Sequence, residues 1–205
     1  MSSLPTDKVP IYAPSKVGAL RQCEIISDLI EPVVEPGSIR DIVKGPFVRG
    51  QVHPFAVIIS QDCDLEQDFS ARQGTQVRQD KLLQNVLLCD VFEIWELITT
   101  NSLRASELRK RLLNNKDERY HFLERIAAEY DLQEIGLPDL GIDFKRYFSL
   151  PTEEFYGQLS DPSTSTKRRC RLNSPYLEHL STRFCYYQFR IALPVDHAHP
   201  IAPAT

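Results

Sequence analysis

The chain holds 205 residues, with 42% apolar and 25% charged side chains and a formal charge of −4. That length can bury roughly 70% of the unfolded surface in one core, and the acidic balance argues against a protein that grips nucleic acid by charge over its whole surface. Apolar runs are short, the start MSSLPTDKVP lacks the hydrophobic region of a secretion signal, and Cys23, Cys63, Cys89, Cys170 and Cys185 show no zinc-ligand spacing. The expectation is a cytoplasmic protein with no membrane segment, no metal and no cofactor, its thiols reduced and mostly packed in the core.

In chain order, residues 1–20 carry Pro5, Pro10 and Pro14 and little periodicity, which predicts an extended arm ahead of a single domain from 21 to 205. CEIISDLIEPVV (23–34) reads as a strand halted by Pro32. Residues 35–54, punctuated by Pro36, Gly37, Gly45, Pro46, Gly50 and Pro54, read as a long loop. FAVIIS (55–60) is apolar at nearly every position, which predicts a central strand buried on both faces.

An acidic cluster, QDCDLEQDF, follows. Asp62, Asp64, Glu66 and Asp68 alternate as in a calcium loop, yet Gln67 stands where a glycine turn is needed and Gln73 where the closing bidentate acid belongs. An EF-hand is therefore excluded. As a nucleophile Cys63 would suffer from its neighbouring carboxylates, which raise a thiol's pKa and suppress the thiolate. The favoured reading is structural: Asp62 and Asp64 cap a turn, Cys63 and Leu65 point inward, and QDFSARQGTQ loops to the next strand, NVLLCDVFEI (85–94).

Residues 101–131 turn helical, with Leu108 and Leu112, then Phe122, Ile126 and Tyr130, at helical spacing. Seven Lys or Arg against four acids between Ser102 and Arg125 make this insertion locally basic. IDFKRYFSL reads as extended and SDPSTSTK as a surface loop. A closing helix is placed at 174–193, capped by Ser174, opened by Pro175 and stopped by Pro194, with Leu177, Leu180, Phe184, Tyr187 and Ile191 as its buried stripe. Beside the stripe run His179, Arg183, Tyr186 and Arg190, and just upstream lie Arg168, Arg169 and Arg171 of KRRCR. These five arginines form the candidate nucleic-acid-binding surface, because arginine forks match phosphate oxygens and the aromatic rings beside them can stack on bases.

CEIISDL, a Gly- and Pro-rich loop ending in HP, FAVIIS with Ser60 at its end, and NVLLCDV together resemble the opening of the MazF/PemK-type toxin domains over about residues 23–95. SQDCDL with the closing RF..YYQFRIALP resembles a divergent bacterial branch of that group. The resemblance implies an α+β fold: an SH3-like, PemK-like β-barrel built from 21–98 and 132–160, with the helical insertion at 101–131 and the long C-terminal helix. The family's usual arginine before the proline of its second strand is replaced here by His53, before Pro54, with Arg49 four residues earlier. Ser60 matches the Ser or Thr that the family keeps at the strand end, a group able to hydrogen-bond a phosphate.

Two functions follow. The first, favoured by the missing arginine, the acidic segment and the helical additions, is a non-catalytic accessory or interaction subunit of a bacterial toxin or defence system, bound to a protein partner. The second is a metal-independent endoribonuclease toxin, in which His53 or Arg49 assists attack of a ribose 2′-hydroxyl and Ser60 holds the phosphate of single-stranded RNA. Family members act mostly as dimers, so a homodimer is implied.

Overall fold

The computed structural model describes residues 9–40, 43–74, 78–100 and 105–189. Its strands are β1 (Tyr12–Pro14), β2 (Glu24–Val34), β3 (Val48–Ile58), β4 (Asn85–Glu93), β5 (Tyr120–Leu123), β6 (Leu140–Pro151) and β7 (Lys167–Leu172). Its α-helices are α1 (Asp62–Gln73), α2 (Ile94–Thr100), α3 (Ala105–Leu113), α4 (Thr152–Ser160) and α5 (Tyr176–Gln188). The fold is α+β, and its strands form one antiparallel sheet in the order β1-β7-β2-β3-β4-β6-β5. The sheet is not a closed barrel. Its two edges, β1 and β5, approach one another: the Tyr12 hydroxyl donates to the carbonyl of Glu124, just past β5, at 2.9 Å, but no strand ladder joins them.

Both faces of the sheet are covered, which explains the uninterrupted apolar run in FAVII. Ala56 and Ile58 join one cluster with Ile26, Leu29, Leu88 and Leu150, onto which Leu65 of α1 and Phe155 of α4 pack. Val57 and Ile59 join the other, with Ile25, Cys89, Ile142 and Phe144, into which α5 drives Leu180 and Phe184. Alternating side chains thus serve two cores at once, and each fully buried Leu, Ile or Phe contributes about 1.5–3 kcal/mol.

Several expectations are corrected. Pro32 does not halt β2: it pairs with Gly50 on β3, and the strand on β2's other side, β7, reaches only residues 24–27, so no ladder partner there needs an N–H from Pro32. Strand β3 therefore begins at Val48, inside the expected loop. A Cβ at Gly50 would sit 3.0 Å from Ile30 Cγ2, so the Ile30 side chain would have to give way to any larger residue. The acidic segment is neither a capped turn nor a loop but helix α1. Asp62 points away from its own helix, accepting from the Gln22 N–H at 2.6 Å and from Arg21 at 2.7 Å. Cys63 is exposed, while Leu65 is buried as expected.

Among the described residues of the helical insertion, the α-helix α3 covers only the first half, with a single 3-10 turn at Ala128–Tyr130. Asn115, at φ 51, ends the turn after α3, and its amide bonds the Phe122 backbone both ways, which aligns 120–123 as β5 against β6. Residues 132–160 are not all sheet, since α4 closes them. KRRCR is not a surface run but β7, an interior strand between β1 and β2. The N-terminal arm is partly in the sheet, as β1. Ser174 does not cap α5; the Asn173 carbonyl accepts from the N–H groups of Tyr176 and Leu177. Residues 1–8 of the expected arm and residues 190–193 of the expected closing helix lie outside the described residues. Among the described residues no helix is long and apolar enough to cross a membrane.

Candidate functional site

Two strands outrun their neighbours. β3 pairs with β4 only over residues 55–58 and β2 with β7 only over 24–27, so residues 29–34 and 48–53 form a two-stranded arm. Strand alternation gives this arm two unlike faces. On one, Ile30, Pro32 and Val34 lie opposite Val52, Gly50 and Val48, with Val34 39%, Val48 50% and Val52 58% exposed. On the other, Leu29, Glu31 and Val33 lie opposite His53, Gln51 and Arg49. The base of the arm is clamped from the side by buried Gln158 of α4, whose amide takes the place of a strand neighbour: it accepts from the Ile30 N–H at 3.0 Å and donates to the Ile30 carbonyl at 2.7 Å.

At the polar base of the arm an ionic row crosses four adjacent strands: Glu31 on β2, His53 on β3, Asp90 on β4 and Arg146 on β6. His53 Nε2 meets Glu31 at 3.0 Å, its Nδ1 makes a short contact with Asp90, and the other Asp90 oxygen takes Arg146 at 2.8 Å. The imidazole, 3% exposed, stacks flat on Phe148 at 4.0 Å between ring centroids. Burial alone would pull its pKa down, but the hydrogen bonds and charge of Asp90, then Glu31, outweigh that and raise it. Both ring nitrogens thus meet acids, and this setting favours the protonated ring. Neither nitrogen is left open to a substrate.

The other residues singled out in the sequence do not gather around it. Arg49 lies four residues away, about 13 Å along an extended strand, and pairs with Glu35 at 2.8 Å. Ser60 lies past the opposite end of β3, where its hydroxyl accepts from the Leu87 N–H at 2.8 Å. Three of the five arginines are likewise engaged within the protein. Arg168 forks onto Glu24 and donates to the Gly18 and Ala19 carbonyls, and Arg169 forks onto Asp131 inside the fold. Arg171 is half-buried, its Nε without a hydrogen-bond partner. Arg183 is half-buried rather than displayed on an open helix face, and donates to Asn115, His121 and the carbonyls of Asp117 and Tyr120. Arg190 lies outside the described residues.

Sequence reading found His53 but missed Glu31, Asp90, Arg146 and Phe148. One signal was available: in NVLLCDV, Asp90 shares the parity of Val86 and Leu88, so an acid occupies a core-facing position of a buried strand and requires a cationic partner. Among the described residues no group of three or more His, Cys, Asp or Glu is arranged to hold a metal ion. No family model, no curated protein and no solved structure matches the chain.

Proposed function

We propose that the chain is a non-catalytic interaction subunit, a divergent relative of the SH3-like MazF/PemK barrels that serves as an accessory component of a bacterial toxin or defence system. The observation that carries this reading is the projecting arm, apolar and uncovered on one face and braced at its base by the His53 row on the other. A strand pair with three exposed valines on one face suits protein recognition, where apolar contact supplies affinity. The state of His53 supports the absence of catalysis: a general base needs an open nitrogen within reach of the substrate proton, and both of its nitrogens are engaged.

The test has two arms. Incubated with single-stranded RNA in a chelating buffer, the purified protein is expected to leave the RNA intact. A tagged wild-type chain is expected to hold one stoichiometric protein partner, identified by mass spectrometry, and Val34→Asp with Val52→Asp is expected to release it without lowering the melting temperature. Cleavage of RNA by the wild type that is lost in His53→Gln would instead establish the metal-independent endoribonuclease.

A further inference from the structure

The seam between the two unpaired sheet edges is a cavity of about 190 Å³, lined by Tyr12 of β1, His121 and Leu123 of β5, Leu172 of β7, and Tyr176 and His179 at the start of α5. Its most informative group is His121, which is 3% exposed. His121 Nδ1 lies 2.9 Å from Arg183 Nη1. A guanidinium has no acceptor, so Nδ1 must carry the lone pair and Nε2 the proton. The arginine therefore fixes the tautomer. Arg183 lines the neighbouring cleft beside Lys116 and Tyr187 and not the seam. Nε2–H lies on the side of the ring away from Arg183, His121 lines the seam cavity, and among the described residues no acceptor is hydrogen-bonded to Nε2.

Charge points the same way. Arg183 is half-buried, and its two terminal nitrogens are engaged by neutral acceptors only: Asn115, His121 and two backbone carbonyls. Asp117, whose charge acts on it, has one oxygen on Arg111 at 2.9 Å and the other on the N–H groups of Arg119 and Tyr120. A half-buried cation without a bound counter-ion raises the potential at the ring beside it.

We infer that the seam cavity binds a small oxyanion of about phosphate size, whose oxygen accepts from His121 Nε2–H and whose charge offsets that of Arg183. The volume corresponds to about six waters at ~30 Å³ each, room for one phosphate or carboxylate group with a short substituent. The other titratable groups facing it are Tyr12, Glu124, Tyr176 and His179; the Tyr12 hydroxyl is committed to the Glu124 carbonyl, and the Glu124 side chain is exposed. His179, whose ring centroid is 5.3 Å from that of His121, completes the mouth. His121 resists protonation because burial, then the charges of Arg183 and His179, hold its pKa down to about 3, so it remains a neutral donor over the physiological range.

Long-range imidazole ¹H–¹⁵N spectra of the full chain, titrated at low salt with inorganic phosphate, sulfate and acetate in separate arms, test this directly. The expected result is a saturable shift of the His121 nitrogens with the Nε2–H tautomer retained, accompanied by a rise in the His179 pKa. His121→Phe is expected to weaken binding at least tenfold, the scale of one hydrogen bond to a charged group. Preference for phosphate and sulfate over acetate assigns the site to phosphoryl groups; the reverse assigns it to carboxylates. If no anion shifts His121 saturably in the wild type, or if only His179 responds, the inference is overturned, whether or not the variant folds.

Discussion

His53 and His121 are equally buried, each 3% exposed, yet the structure drives them in opposite directions. His53 sits between Asp90 and Glu31 and holds its proton more tightly than a free imidazole. His121 sits behind Arg183 and gives its proton up down to about pH 3. Burial disfavours the charged form in both, so the sign is set by the charges placed around each ring. The consequence is a difference of role. The first imidazole has both nitrogens tied to acids and serves as a brace where the arm leaves the sheet. The second has one nitrogen tied to an arginine and the other facing a cavity.

The largest expected effect comes from removing the brace. His53→Gln leaves Glu31 without its cation and Asp90 with only Arg146, and breaking a buried pair from one side costs about 3 kcal/mol or more. His121→Gln, at equal burial, gives up one hydrogen bond from the Arg183 guanidinium and is expected to cost about 1.5–2 kcal/mol. Urea unfolding at neutral pH measures both. Equal losses would show that the two rings differ in protonation but not in structural weight.

Gln158 tests whether the arm's base also depends on its uncharged side. Gln158→Leu keeps the volume but strips half-buried Ile30 of two backbone hydrogen bonds, and leaving such groups unsatisfied costs about 1–2 kcal/mol. Urea unfolding of this variant beside His53→Gln ranks the two anchors. A loss exceeding that of His53→Gln would make the amide clamp, not the ionic row, the principal anchor.

Their pH dependence sharpens the contrast further. Above the ordinary imidazole pKa of 6.5 the unfolded chain releases the His53 proton that the folded chain keeps, so this contribution is fully present below 6.5 and is lost as pH rises through the raised value. For His121 the folded pKa is depressed, so its contribution is present above 6.5 and is lost as pH falls towards about 3. One proton of difference gives a slope of about 1.4 kcal/mol per pH unit. His53→Gln is expected to flatten the alkaline limb of stability against pH, and His121→Gln the acid limb. Exchange of those two outcomes would reverse both assignments.

The sequence made the strands around FAVIIS and NVLLCDV legible because an apolar run flanked by turn residues has few other solutions. It also showed Leu180 and Phe184 as the buried side of the closing helix, with Leu177 and Tyr187 partly buried beside them, and it singled out His53. What escaped it depends on pairing across distance. A KRRCR segment reads as a solvated surface until Glu24 and Asp131 are known to lie beside it, and both acids come from elsewhere in the chain. YHFL fits a helix by spacing, and only the Asn115 amide and the β6 edge decide for a strand. Asp62 was expected to cap its own turn but reaches instead to residues 21 and 22, about 40 positions earlier in sequence. The row around His53 draws one side chain from each of four strands, so no local motif could announce it. The tautomer of His121 likewise depends on Arg183, 62 residues away.

The smallest expected effect isolates what charge alone does to His121. His179 is exposed on α5, so His179→Gln should change stability at neutral pH by less than about 0.5 kcal/mol, as a surface substitution usually does. Its ring nevertheless lies 5.3 Å, centroid to centroid, from that of His121, and its charge is the weakest of the three influences that depress the His121 pKa, after burial and Arg183. Removing it should therefore raise that pKa slightly and move the acid limb to higher pH with little change in its height. Following the His121 carbon-bound protons through an acid titration by NMR reads the shift without requiring unfolding. An unmoved midpoint would assign the effect to burial and Arg183 alone, whereas a midpoint that fell would mean that His179 supports the protonated ring, and the cationic setting that separates His121 from His53 would no longer hold.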